Sequence, residues 1–275
     1  MTLLGGLFDY DGVIGDTKAR QFEWYKEWAR QNKVDLKFPD GSKVDPNDLE
    51  GFLAQYNSTY ALNGTKTYNL FGLPCDFDAE NSKVWAAYEL FNENNPVKIF
   101  PGMKEALIKI WKDGRLDSDD KKNRSLRLAI NTTSSWKSIY PALKRFGISH
   151  IFDSYCTSEI LKKQAGEGGK YEGNNKPSKV SIALMLNILG SRGNTTIHVG
   201  DTIADLRASQ DVLEHLMIKD ETLITVGVAW GYDGGEVLHK GYNLKDNKGN
   251  SLGTLNFNHI IEHPSQLPAL IKKYR

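Results

Sequence analysis

The chain reads as an α/β protein: a mostly parallel sheet with helices on both faces, interrupted early by an α-helical insertion. Three observations predict this. Short apolar runs alternate with helical patterns along most of the 275 residues, which is how strand–helix–strand units look in sequence. From Asp16 to about Asn94 no convincing strand appears and helical patterns stand alone. Acidic, hydroxyl-bearing and basic residues then recur where apolar runs end or helices begin, and open α/β sheets bind ligands beyond the carboxyl ends of their strands.

The elements follow in order. Leu3–Phe8 is a first strand, short and ending in an acidic turn. Ala19–Gln31 is an amphipathic helix rich in aromatics (Phe22, Trp24, Tyr25, Trp28), and further helices are expected near Pro46–Leu62 and Ala79–Asn92. Two prolines and a glycine in Pro96–Gly102 break the helical pattern and mark the return to the main domain. Met103–Lys112 is a helix, Gly114–Ser125 a long polar loop, Leu126–Asn131 a strand and Ser134–Phe146 a helix. Phe152–Ser158 is a third strand, and Lys162–Lys176, rich in Gly, Lys and Asn, is a loop. Val180–Leu189 is a helix, Thr195–Val199 a strand, Ala204–Gln210 the start of a helix, and Thr222–Val228 a strand. Tyr242–Phe257 is expected to form a hairpin, Ile260-Ile261 a last short strand, and Leu267–Tyr274 a closing helix.

Composition narrows the class of function. Hydrophobic residues make up 40% and charged residues 25%, ordinary values for a chain with a packed core. Basic and acidic residues number 35 and 34, a net charge of +1, which gives no reason to expect nucleic acid or an anionic membrane as partner. No stretch approaches the roughly 20 apolar residues of a spanning helix. The N-terminal stretch lacks a basic region and meets Asp9 too early for a signal peptide. Two cysteines, Cys75 and Cys156, read as free thiols in a reducing compartment. A cytoplasmic protein is expected.

Four polar sites carry chemistry. Asp9 and Asp11 directly follow the first strand. Side-chain direction repeats every two residues on an extended chain, so both carboxylates point the same way, and Gly12 lets the chain turn without covering them. Asn131-Thr132-Thr133-Ser134-Ser135 follows the second strand; hydroxyls and free backbone N–H groups at a helix start suit a phosphate oxygen and equally suit a helix cap. Lys176 precedes Pro177 and a helix, from which it can reach back to neutralise a transferring phosphoryl group. Asp201 ends the fourth strand and Asp205 lies one turn into the next helix; paired carboxylates suit a hard cation such as Mg²⁺.

In type and order these sites resemble the haloacid dehalogenase superfamily of phosphatases and phosphomutases. Phe8-Asp9-Tyr10-Asp11-Gly12-Val13-Ile14 is similar to its first motif, Thr132 to the second, Lys176 to the third, and Gly200-Asp201 with Asp205 to the fourth. Ile99-Phe100-Pro101-Gly102 resembles the return from an inserted cap, and Val226–Tyr232 the segment after the fifth strand of phosphoglycolate-phosphatase-like members. The resemblance implies a Rossmann-like core over residues 1–15 and 99–275 and an α-helical cap over residues 16–98. It implies that Asp9 attacks phosphorus to form an aspartyl-phosphate and that Asp11 serves as acid and then base. It further implies that Thr132 and Lys176 bind the phosphoryl group, with Thr133 the fallback for the second motif and Lys170 or Lys179 for the third. Mg²⁺ would be held by Asp9, the Asp11 carbonyl, Asp201 and Asp205.

Asp11 favours phosphoryl transfer over dehalogenation, because dehalogenases of the superfamily typically lack it. The expected activity is a Mg²⁺-dependent phosphatase acting on a small phosphorylated metabolite. A β-phosphoglucomutase-like mutase is the alternative, since Phe8–Thr17 also resembles the opening of that enzyme. Substrate choice would fall to the cap, which is expected to open and close. On its first helix Lys18, Arg20, Trp24 and Tyr25 are candidates to face the site, although aromatics at helical spacing usually form core.

Overall fold

A computed structural model describes residues 3–59, 64–76, 82–116, 126–166, 174–191, 194–215, 222–245 and 248–275. The strands are β1 (Leu3–Phe8), β2 (Gly15–Asp16), β3 (Lys98–Ile99), β4 (Arg127–Asn131), β5 (Ser154–Cys156), β6 (Thr195–Gly200), β7 (Leu223–Val228), β8 (Tyr242–Lys245), β9 (Ser251–Leu255) and β10 (His259–Ile261). The helices are α1 (Lys18–Asn32), α2 (Leu49–Ser58), α3 (Gly64–Leu70), α4 (Lys83–Asn94), α5 (Met103–Leu116), α6 (Trp136–Phe146), α7 (Ser158–Ala165), α8 (Val180–Ile188), α9 (Ile203–His215), α10 (Gly234–Lys240) and α11 (Leu267–Lys273).

Six strands form one sheet in the order β10-β7-β6-β1-β4-β5, and every pairing within it is parallel. The expected parallel α/β sheet is therefore present. Every residue of β6 and β7 is buried, as expected of strands covered on both faces. Leu7 and Ala129 lie on one face with Ile182, Met185 and Leu186 of α8 and Ala208 and Val212 of α9. Alternation puts Phe8 and Ile130 on the other face, where they are equally buried.

The chain divides into two compact units, Met1–Gly15 with Ile99–Arg275, and Asp16–Lys98. The second unit is built from α1 to α4. Its core is aromatic: Tyr25 meets Phe52, Tyr56, Tyr68 and Phe71, while Trp24 packs on Trp28, Tyr88 and Phe91. The Trp24 indole N–H donates to the Tyr68 hydroxyl, and the Trp28 indole N–H to the Pro74 carbonyl at 2.8 Å. Trp24 and Tyr25 are fully buried in this unit, so neither is available to a substrate.

Several boundaries differ from expectation. Helix α5 runs through Gly114 to Leu116, where a loop was expected to begin; the rest of that loop, residues 117–125, lies outside the described residues. The third sheet strand is only Ser154–Cys156, and a helix starts at Ser158. Glu159 in the first turn and Lys162 and Lys163 in the last complement the helix dipole, which outweighs the loop-like composition that follows. Helices α3 and α10 were not foreseen; both open on glycine, which weakens the helical signal.

Candidate active site

At the end of β1 the Asp9 N–H donates to the Val199 carbonyl of β6 at 2.9 Å. The ladder thus carries Asp9 to the carboxyl edge of the sheet. A tight turn follows, in which the Ile14 and Gly15 N–H groups donate to the Tyr10 carbonyl at 3.0 and 2.8 Å. Gly12 holds φ at +77°, and a Cβ there would collide with the Asp201 carboxylate. Glycine is what lets the loops after β1 and β6 approach this closely.

Asp11 is fixed from the neighbouring strand. Its Oδ2 accepts from the Ser134 hydroxyl at 2.6 Å and from the Thr132 hydroxyl at 3.4 Å. Thr132 is held in turn, since its N–H donates to the Cys156 carbonyl at 2.9 Å and its hydroxyl accepts from the Ser134 N–H at 3.0 Å. The Ser135 hydroxyl caps α6 through the Ser138 N–H. The two roles expected of this segment, cap and polar site, fall on different residues. Ser134 was not singled out from sequence; a serine among five polar residues carries no signal of which carboxylate it will meet. Thr133 is exposed, and no hydrogen bond ties its side chain to Asp9 or Asp11.

Lys176 sits at the centre. Its buried ammonium lies 2.8 Å from Asp9 Oδ1 and 2.7 Å from Asp205 Oδ1, and donates to the Asn131 carbonyl at 3.1 Å. Of the alternatives, Lys179 pairs instead with Asp211 at 3.9 Å, and Lys170 lies outside the described residues. Burial works against charge on Lys176, but Asp205 and Asp9 outweigh it and raise its pKa.

The acidic groups divide by environment. Asp205 is opposed by burial, yet Lys176, His198 and the Thr202 hydroxyl hold its pKa below the ordinary carboxylate value. Its Oδ2 accepts from the Thr202 hydroxyl at 2.9 Å and from the Thr202 and Asp201 N–H groups at 3.3 Å. Asp9 is pushed up to about 7, because burial and the nearby Asp205 and Asp11 carboxylates overcome Lys176. Burial raises Asp201 well above the ordinary range, with Asp205 and Asp9 adding to it. Asp201 Oδ2 accepts the Tyr232 N–H at 2.7 Å, and a Cβ on Gly231 would strike the Asp201 side chain.

One buried carboxylate oxygen of the site lacks a partner among the described residues. Asp201 Oδ1 is buried and accepts no hydrogen bond, a costly arrangement for an acceptor unless something else satisfies it. Asp9, Asp201 and Asp205 offer oxygens that all lie within 4.8 Å of one another. A hard divalent cation fits this donor set. Asp205 has both oxygens engaged, which suits contact through water rather than direct ligation.

The structure thus brings Asp9, Asp11, Thr132, Lys176, Asp201 and Asp205 together at one edge of the sheet. Asp233 also belongs to this region. It accepts from the Ile203 N–H at 3.0 Å at the start of α9 and from the Tyr242 hydroxyl at 2.5 Å, and burial raises its pKa.

Comparison with known proteins finds relatives in fold and a matching sequence family. The chain is similar in fold to a haloacid dehalogenase-like family protein from Streptococcus pneumoniae, at 15% identity over 98% of each chain with a TM-score of 0.60. A candidate phosphoglycolate phosphatase from Lactobacillus plantarum is 14% identical over 98% of this chain and 100% of that one, with a TM-score of 0.61. A candidate β-phosphoglucomutase from Thermotoga maritima is 16% identical over 99% and 100%, with a TM-score of 0.58. No curated protein matches the chain by sequence. Residues 7–213, which hold all the site residues named above except Tyr232, Asp233, Tyr242 and Gly231, match the haloacid dehalogenase-like hydrolases, and the chain belongs to that family.

Proposed function

We propose that the protein is a Mg²⁺-dependent phosphatase that hydrolyses a small phosphorylated metabolite through an aspartyl-phosphate on Asp9. One observation carries this reading: Asp11 is held by the Ser134 and Thr132 hydroxyls two residues beyond the lysine-paired Asp9. That arrangement supports reading Asp9 as the nucleophile and Asp11 as the proton-transfer group.

Asp9 attacks phosphorus, forming a P–O bond as the bond to the leaving oxygen breaks. Asp11 gives its proton to that oxygen. It then takes a proton from water as the water oxygen attacks phosphorus, which frees inorganic phosphate and restores Asp9. Thr132 and backbone N–H groups at the start of the following segment bind phosphoryl oxygens, and Lys176 offsets their charge. Bound Mg²⁺ would lower the charge of the nucleophile and stabilise the transferring group. Asp9, the Asp11 carbonyl and Asp201 would hold it, with Asp205 acting through water. The helical unit Asp16–Lys98 is read as the cap that selects the substrate, with Lys18 and Arg20 as its candidate contacts. Among the described residues no helix is long and apolar enough to cross a membrane. A cytoplasmic location is part of the proposal, supported by the two free thiols.

The test is a panel of phosphorylated metabolites, with phosphate release measured with and without Mg²⁺ for wild type and Asp9→Asn. Release by wild type in Mg²⁺ alone, and none by the variant, is expected. Full activity of Asp9→Asn would sink the mechanism. Isomerisation of a sugar phosphate without phosphate release would establish the mutase reading instead.

A further inference from the structure

Beneath the site lies a buried polar pair that the proposed mechanism does not use. His198 is in β6 and Ser209 in α9, and both are completely buried. His198 Nδ1 lies 2.7 Å from the Ser209 hydroxyl. Its Nε2 has no hydrogen-bond partner among the described residues and lies 3.9 Å from Asp205 Oδ1. Asp205 and Ser209 are four residues apart on α9, so they share the helix face turned to β6. A chain of close contacts therefore runs Asp9–Lys176–Asp205–His198–Ser209.

We infer that His198 and Ser209 are positioning residues: the Ser209 hydroxyl donates to Nδ1, which leaves the proton on Nε2 facing Asp205 and keeps that carboxylate aligned with Lys176. The inference rests on the functional reading above only for its kinetic consequence. A neutral imidazole has one N–H and one lone pair. Turning the lone pair of Nε2 toward a carboxylate is repulsive in a medium with little screening, whereas turning N–H toward it is attractive. Serine can donate or accept, so it accommodates the tautomer that Asp205 selects. The ring is completely buried, and burial favours its uncharged form. Asp205 Oδ1 then faces the Nε2–H dipole at 3.9 Å and the Lys176 ammonium at 2.7 Å, which keeps the carboxylate aligned with Lys176 and Lys176 within reach of Asp9.

Nitrogen-15 NMR of histidine-labelled, metal-free protein, with the His198 signals assigned by their loss in His198→Gln, reads the tautomer directly. The proton is expected on Nε2. A proton on Nδ1 would overturn the inference whatever the enzyme's activity. In phosphate-release kinetics His198→Leu should lose about 10- to 100-fold in kcat, the range for partners that orient site groups from behind, with KM little changed. His198→Gln should retain most activity, since its amide offers both an acceptor for Ser209 and a donor for Asp205. Ser209→Ala is the milder variant, should the leucine not fold, and is expected to lower kcat in the same direction. Equal activity of the Leu and Gln variants would overturn the positioning role. Failure of wild type to release phosphate from any compound would overturn the kinetic role along with the functional reading, while the tautomer still decides the His198–Asp205 arrangement.

Discussion

Replacing Lys176 with methionine removes a buried charge while keeping most of the side-chain volume. The ammonium is shared by Asp9 at 2.8 Å and Asp205 at 2.7 Å. Without it, Asp9, Asp201 and Asp205, with oxygens within 4.8 Å of one another, have no cation among them. Breaking a buried ion pair by deleting one partner costs about 3–5 kcal/mol. Part of that is offset, because carboxylates such as Asp9, already pushed to about 7 with the lysine present, take up protons instead. The lower end, about 3 kcal/mol, is therefore expected at neutral pH. At about 2–4 °C per kcal/mol for 150–250 residues, the melting temperature falls by roughly 6–12 °C. On the proposed reading Mg²⁺ would restore positive charge to the same cluster, so it should raise the melting temperature of the variant more than that of wild type. Calorimetric melts of both proteins in Mg²⁺ and in chelator measure this. An unchanged melting temperature in chelator, or equal shifts with Mg²⁺, would refute the view that Lys176 is the counter-charge of this cluster.

Further predictions concern the neighbouring groups. The Asp9 pKa in the fold, about 7, is above its ordinary value of 3.8, so its contribution to stability is full below the ordinary value and is lost as pH rises through about 7. A cation must displace that proton and the one favoured on Asp201. Mg²⁺ should accordingly raise the melting temperature more at pH 8 than at pH 5; an equal shift at both would argue against binding at these carboxylates. Ser134→Ala removes the 2.6 Å hydrogen bond to Asp11 and leaves only Thr132 at 3.4 Å. A hydrogen bond is worth about 0.5–1.5 kcal/mol, so kcat/KM for phosphate release should fall by about 2- to 10-fold, and wild-type kinetics in this variant would remove Ser134 from the site.

How much of this was legible in sequence depends on the range of the interaction. The strands were readable because a two-sided parallel sheet needs nearly continuous apolar runs; Leu3–Phe8 was placed to the residue. Elements with a mixed local signal were read less well. Ser158–Ala165 looked like the end of a strand followed by a loop, because its helix is short and the residues after it are rich in glycine. Helix α10 was missed because two glycines open it. The aromatic run of α1 was correctly legible as core, and burial of Trp24 and Tyr25 removes them as substrate contacts. Ser134, His198 and Ser209 carried no signal, since each acquires meaning only from a partner that the fold brings to it: Asp11 from a distant stretch of chain for Ser134, and the packing of α9 on β6 for the other two.

Asp9, Thr132 and Asp201 show why the main site was legible all the same. They are separated by more than a hundred residues in one case and by about seventy in the other. The strand order places β6, β1 and β4 side by side, and neighbouring strands lie about 4.8 Å apart. Any polar residue directly after each of these strands must therefore fall within one or two strand spacings of the others. Position after a strand is a local property that a sequence displays, and adjacency follows once the sheet is parallel. Lys176 is the exception. It follows no strand, and its place beside Asp9 depends on how residues 174–179 and α8 pack against β4 and β5. Lys176 was the choice by sequence, with Lys170 and Lys179 as near alternatives. The pairing of Lys179 with Asp211, and of Lys176 with both Asp9 and Asp205, comes from three-dimensional packing alone.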